Sequence, residues 1–189
     1  DWVAVAGIPA FGCPSESAVR TGPDVCCELQ TPGGSVIRLD AQSEVTLKSA
    51  DVVEVKKGQI WCNSPPNAPL KVLASNPASG DSTARVEPGS LTERAGCMFS
   101  CQPDEGVVRV MSAEGELQVS SETEQELLKQ GDNVTIVGGK IVRSNDASDP
   151  LLDARWIHPL LIKKGHADPE LNARVDLLLA RVGQSKMSL

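Results

Sequence analysis

The stretch from Arg94 to Val119, RAGCMFSCQPDEGVVRVMSAEGELQV, constrains the fold more than any other part of the chain. It holds two runs in which apolar residues alternate, Ala95 to Cys101 and Val107 to Val119. Gln102 to Gly106 lies between them as a turn, and Gly115 marks a second turn inside the later run. Successive side chains of a strand point to opposite faces, so alternation of period two signals strands buried on one face. The stretch therefore predicts a β-hairpin with further strands on either side.

The same pattern recurs from Val25 onward. Cys26 to Gln30 and Ser35 to Asp40 flank the turn Thr31-Pro32-Gly33-Gly34, and Glu44 to Lys48 and Val52 to Lys56 flank Ser49-Ala50-Asp51. Gln59 to Asn63 follows Gly58, Leu70 to Ala74 follows a Pro-rich break, and Thr83 to Val86 precedes the central hairpin. Glu126 to Lys129, Asn133 to Val137 and Lys140 to Arg143 complete the series. Short strands spaced about 8–12 residues apart, with turn residues between them, point to a sandwich, a barrel or a short solenoid. The expected class is mainly β, built of many short antiparallel strands over residues 25–143. Residues 1–24, rich in Ala, Gly, Pro and Ser, read as a stalk or irregular segment.

Composition changes at Ser144. Asp149 before Pro150, and Asp168 before Pro169, are helix N-caps followed by Pro at the first helical position, and Gly165 and Gly183 stand where C-terminal caps belong. Leu152, Trp156 and Leu160 form one apolar stripe; Leu171, Val175, Leu178 and Val182 form another. Residues 144–189 are thus expected to append a helical hairpin, packed on the β domain or serving as a helical repeat or partner-binding segment.

A net charge of -7 on 189 residues argues against nucleic acid, since phosphate binding needs clustered Lys and Arg. It argues equally against an anionic membrane surface, and no run of about 20 apolar residues offers a span. His158 and His166 lack a G-x-S-x-G elbow to serve, and the acidic residues between Glu114 and Glu126 read as a solvated face. No catalytic residue, cofactor or metal ligand is expected. The six cysteines, Cys13, Cys26, Cys27, Cys62, Cys97 and Cys101, contain no CxxC pair or Cys/His cluster. They read as disulfide candidates and thereby favour an extracytoplasmic setting.

The order of these features resembles the FecR domain of bacterial envelope regulators. That family shows a Gly-Ser hairpin, a G-x-V-W-F strand, a G-T-x-F strand, a V-x-V-x-x-G-x-V hairpin and a closing L-x-x-G. Gly34, Ser35, Ile37 and Leu39 match the opening, with Ser43, Val45 and Leu47 on the next strand. Gly58-Gln59-Ile60-Trp61-Cys62 matches the second element with Cys62 in place of Phe, and Ala95 to Cys101, with Gly96 and Phe99, matches the third with Cys97 in place of Thr. Val108, Val110, Gly115 and Val119 match the fourth, and Leu128, Gly131, Val134 and Ile136 the last. The likeness covers Val25 to Val142.

The resemblance implies a non-enzymatic periplasmic module that binds a protein partner in envelope signalling, of the anti-sigma or transmembrane-sensor type, within a longer membrane-anchored protein. The alternative is a structural or carbohydrate-associated envelope domain, and a redox-sensing variant is a third reading. The family's Phe positions place Cys97, Phe99 and Cys101 on an inward face. Four residues of strand span about 13 Å, whereas a disulfide needs Cα atoms within about 7 Å, so Cys97 and Cys101 need separate partners. Cys62 is then expected to pair with Cys97 or Cys101, and Cys13 with Cys26 or Cys27; otherwise some cysteines are small buried hydrophobes.

Overall fold

The computed structural model describes residues 12–75, 82–90 and 92–144. Thirteen strands make up the described residues. In chain order they are β1 (Ser17–Arg20), β2 (Cys27–Gln30), β3 (Val36–Leu39), β4 (Glu44–Ser49), β5 (Val52–Ser64), β6 (Lys71–Ser75) and β7 (Ser82–Pro88). After these come β8 (Ala95–Gln102), β9 (Val107–Glu114), β10 (Leu117–Ser120), β11 (Gln125–Leu128), β12 (Asn133–Val137) and β13 (Lys140–Arg143). The single helical turn among the described residues is a 3-10 turn, Pro103–Glu105, closed by Gly106 at φ 64.

β5 is the spine. Its first half pairs with β4 and, in parallel, with β6; its second half pairs with β3 and β8. Two layers result. Sheet A runs β1-β4-β5-β6-β7-β10-β11 and sheet B runs β2-β3-β5-β8-β9-β12-β13. The strands expected at Val52 to Lys56 and Gln59 to Asn63 are therefore one strand, and Gly58 is a bend within it rather than an interruption. The β5–β6 pairing departs from the all-antiparallel expectation. β1 lies inside the segment expected to be irregular, where Ser17 to Arg20 align with Leu47 to Glu44. The helical hairpin expected after Ser144 lies outside the described residues.

The central hairpin forms as β8 and β9, but β9 and β10 do not pair with each other. β9 pairs with β8 and β12, whereas β10 pairs with β7 and β11, so Gly115 is a crossing between the sheets and not a hairpin turn. The alternation gave each strand its buried face, but it carries no information about which neighbour completes the ladder.

The core lies between the layers. Leu39, Ile60, Phe99, Val110 and Val134 stand in register across five strands of sheet B, each at most 2% exposed. Val45, Val53, Val55, Val72 and Val86 face them from sheet A. Aliphatic β-branched residues thus fill the core, and Phe99 is the one fully buried aromatic ring among the described residues.

Where the sheets join, backbone ladders break and buried hydroxyls repair them. Ser43, fully buried, accepts a hydrogen bond from the Gln59 N–H and donates to the Gln59 carbonyl, both at 3.0 Å. Thr21 Oγ1 accepts from the Ser43 N–H at 2.9 Å and donates to the Asp40 carbonyl at 2.5 Å. Such contacts matter because an unpaired buried backbone group costs about 1–3 kcal/mol. At the other crossing, Ser112 Oγ donates to the Gly115 carbonyl at 2.9 Å, and the Gly131 N–H donates to the Ser112 carbonyl at 2.8 Å.

Gly58 and Gly131 have nearly the same backbone, φ 88 and 89, but different surroundings. A Cβ at Gly58 would lie 2.4 Å from Ser43 Oγ and 2.6 Å from Ser43 Cα, whereas one at Gly131 would meet nothing within 4 Å. Gly131→Ala is accordingly predicted to cost about 1–2 kcal/mol, from backbone strain alone. Gly58→Ala is predicted to cost about 3 kcal/mol or more, because the strain adds to a clash with the Ser43 backbone. Urea denaturation of the two variants checks the difference; equal losses would contradict close packing at the bend.

Candidate functional site

The motif glycines mark places where the chain changes direction between layers. Gly58 bends β5, Gly115 carries the chain from β9 to β10, and Gly131 carries it from β11 to β12. A Cβ at Gly115 would lie 2.3 Å from the Arg94 carbonyl oxygen. Gly96 sits at a register shift between β8 and β9, with room for little more than its hydrogen beside Glu114. Phe99 is in the core, and Trp61 lies on the outward face of sheet B, with the Arg38 guanidinium 4.8 Å from its ring centre and Arg38 Nε 2.9 Å from Glu28 Oε2. These residues build the fold rather than a shared site.

All six cysteines are thiols, so the expected bridges are not present. Cys62 and Cys97 do stand directly opposite each other on β5 and β8, both buried. Cys101 is opposite Gly58, four residues along β5, which leaves Cys97 as the neighbour of Cys62. Burial pushes the Cys62 thiol well above its usual pKa, and the adjacent Cys97 sulfur adds to the effect. Burial likewise raises Cys101 to about 11, against the opposing charge of Lys56. The expected link from Cys13 to Cys26 or Cys27 is replaced by other contacts: Cys26 Sγ donates to Asp40 Oδ1 at 3.7 Å, and Cys13 lines a cleft. Among the described residues no three His, Cys, Asp or Glu side chains gather in metal-binding geometry.

The two outer edges of the sandwich differ. On one side β11 of sheet A and β13 of sheet B are tied together. The Ile141 N–H donates to Glu124 Oε2 at 2.6 Å, Arg143 Nη2 donates to the Leu127 carbonyl at 3.3 Å, and Arg143 Nε pairs with Glu126. Ser121 and Thr123 hydroxyls both donate to the Gly139 carbonyl, at 2.6 and 3.0 Å. Side chains thus do the work of a ladder between two edges.

On the other side the layers part. A cleft of about 590 Å³ opens between the β2–β3 end of sheet B and the β4–β5 end of sheet A, with residues 12–15 across its mouth. Leu29 and Ile37 form one wall, Leu47, Val52 and Leu70 the other, and Glu28, Gln30, Thr31 and Ser49 supply polar groups around them. Its size and mixed lining match a site for a few side chains of a ligand or peptide. Among the described strands, β1 and β2 beside it pair with β4 and β3. Sequence alone gave no sign that the layers separate there, because the gap depends on which strands end each sheet.

Thiol chemistry in this arrangement is testable. Alkylation requires the thiolate, so at pH 8 the half-buried Cys13 is predicted to react with iodoacetamide at least about tenfold faster than Cys62 or Cys101. The Cys101 rate is predicted to keep rising between pH 9 and 11. Peptide mapping of the native protein measures both, and comparable rates at all three positions would contradict the buried placement.

No known protein family and no curated protein matches the chain in sequence. Two crystal structures of "a putative anti-sigma factor from Parabacteroides distasonis ATCC 8503" resemble it in fold, with TM-scores of 0.58 and 0.55. In both the identity is 15%, and the match covers 75% of this chain and 64% of the other. The chain therefore spans just under two thirds of the length of the proteins it resembles, and at this identity the likeness is one of fold alone.

Proposed function

We propose that this chain is the extracytoplasmic binding module of an envelope sensor of the anti-sigma type, FecR-like in kind, and that it receives an extended segment of a protein partner in the open cleft. The cleft is the observation that carries the reading. Apolar walls with polar groups at the rim suit alternate side chains of a strand, and the neighbouring sheet edges offer the backbone geometry of strand addition. The fold likeness to anti-sigma proteins supports the signalling context. The module is read as non-catalytic, with no cofactor.

Carbohydrate binding is less well supported. Sugar sites use aromatic platforms, and none of the described residues that line the cleft is aromatic. Trp61 is on another face, engaged by Arg38.

A photo-reactive residue at Gln30, on the rim, tests the reading in the intact chain expressed in its native host. The expected result is one discrete adduct with a second polypeptide that falls at least about tenfold when Leu47→Glu places a charge in the cleft wall. Labelling that is lacking, or unchanged by Leu47→Glu, would overturn the cleft as the binding site.

The compartment has its own test. In an oxidising compartment Cys62 and Cys97 would each lose a proton and together give two electrons to a disulfide oxidant, closing one cross-strand bond. Intact mass before and after reduction is then predicted to differ by two hydrogens at that pair in protein exported by the host. Six alkylatable thiols in denatured, unreduced exported protein would contradict the extracytoplasmic reading.

A further inference from the structure

The inward row of sheet B that holds the paired thiols also holds one wall of the cleft. Leu29 of β2 stands opposite Ile37 of β3, and Ile37 opposite Cys62 of β5. Cys62 stands opposite Cys97 of β8, and Cys97 opposite Ser112 of β9. Ile37, Cys62, Cys97 and Ser112 are all buried, and Leu29 packs against the same core. Leu29 and Ile37 line the cleft, so Cys62 lies one strand spacing, about 4.8 Å, from that wall. Leu70, in the facing wall, donates its N–H to Ser64 Oγ at 3.1 Å, two residues past Cys62 on β5. The end of β5 therefore touches both walls.

The two ends of the row are held differently. Ser112 Oγ donates to the Gly115 carbonyl at 2.9 Å, and the Ser112 N–H donates to the Asp132 carbonyl at 3.0 Å. The Ser112 carbonyl accepts from the Gly131 N–H at 2.8 Å. These bonds anchor that end at the crossing between the sheets. At the other end Leu29 lies on β2, which pairs with β3 among the described strands, and the layers part beside it. A displacement within the row is therefore taken up on the cleft side.

We infer that Cys62 and Cys97 form a thiol–disulfide control of the cleft, in which closing the bond draws the Leu29–Ile37 wall toward β8 and fixes it. Opposed Cβ atoms of an antiparallel pair lie about 4.5–5.5 Å apart, whereas those of a disulfide lie about 3.8 Å apart. Closure thus pulls β5 toward β8 by about 1 Å at this row, and Ile37 and Leu29 follow through the ladders of β3 and β2. A low-molecular-weight disulfide such as glutathione disulfide is the oxidant. One thiolate of the pair attacks it and releases one thiol, and the second cysteine displaces the other from the mixed disulfide. One S–S bond breaks and one forms, two electrons pass to the oxidant, and the two cysteine protons leave on the released thiols. Burial disfavours the Cys62 thiolate, so exchange is slow and either state persists once set. A wall fixed beforehand loses less freedom when a ligand binds, so the bridged form is the tighter binder. That last consequence rests on the cleft being the partner's site; the shift of the wall does not.

The intact chain with Cys13, Cys26, Cys27 and Cys101 replaced by Ala retains only this pair and provides the test. Where those replacements weaken the fold, the parent chain is compared in the same way, with its bridge located by peptide mapping. Refolded with glutathione disulfide, the chain is expected to lose two hydrogens and to give one peptide linked through positions 62 and 97. Amide exchange of β2 and β3 is expected to slow about threefold or more on bridging, while β11 and β13 keep their rates. A bond that does not form, an unchanged β2, or equal slowing of β2 and β11 would overturn the inference; the last is what a bridge that merely stabilises the whole fold produces. The effect on binding is read by crosslinking from position 30 in the host, expected to be about threefold stronger for the bridged form. Equal adduct in both forms would overturn the control of binding. Lack of adduct in either form would count against the cleft as the partner's site, and the β2 rates would still decide whether the wall moves.

Discussion

The fold depends on the contact between Gly58 and Ser43. β5 must serve both sheets, and to do so it bends where a side chain would strike the Ser43 backbone at 2.6 Å. The buried Ser43 hydroxyl then takes both hydrogen-bonding groups of Gln59, and Thr21 repeats the device one strand further out. Three successive strand lines thus turn from one layer to the other without leaving buried backbone groups unsatisfied. The core depends on the same turn: it brings Phe99 and Ile60 of sheet B against Val45, Val53 and Val55 of sheet A. It also places Cys62 and Cys97 opposite each other in the second half of β5 and β8.

Once the sheets are folded over this corner, their free edges meet or separate according to local chemistry. At β11 and β13, Glu124 and Arg143 reach across to backbone groups of the other layer. Exposed ion pairs such as Arg143 with Glu126 add at most about 1 kcal/mol each, so the backbone bonds define this edge more than the charges do. On the other side Leu29, Leu47 and Val52 line a cleft between the layers. One edge of the sandwich is thus tied and the other parted, a form suited to recognition.

Period-two alternation made the strands legible, because it records burial on one face. It identified the strand from Ala95 to Cys101, whose inward Phe99 came from the family resemblance, and it located nearly every strand among the described residues. It could not distinguish a hairpin turn from a crossing, since Gly115 looks the same in either; only the pairing partners of β9 and β10 decide. β1 escaped notice because four residues next to Pro, Gly and Ser show no period. Ser112 and Thr21 gave no signal, since a buried hydroxyl that repairs a ladder looks like any surface Ser or Thr in sequence. Cys62, Cys97 and Cys101 were placed inward correctly, but which of them face each other depends on the β5–β8 register, which alternation does not carry. The outward Met98 and Met111 were hidden by the same alternation: they occupy polar positions in the pattern and count there as exceptions.

Hydrogen exchange along the intact chain, resolved by peptide, tests the difference between the two edges most directly. All four outer strands are short and terminal in their sheets, so chain position alone predicts similar exchange for them. With β11 and β13 tied across the layers and the cleft beside β2, β2 and residues 12–16 are predicted to exchange at least about tenfold faster than that pair. Protection of β2 equal to that of β11 and β13 would mean that the layers do not part there, and the central claim of an open binding cleft would fail.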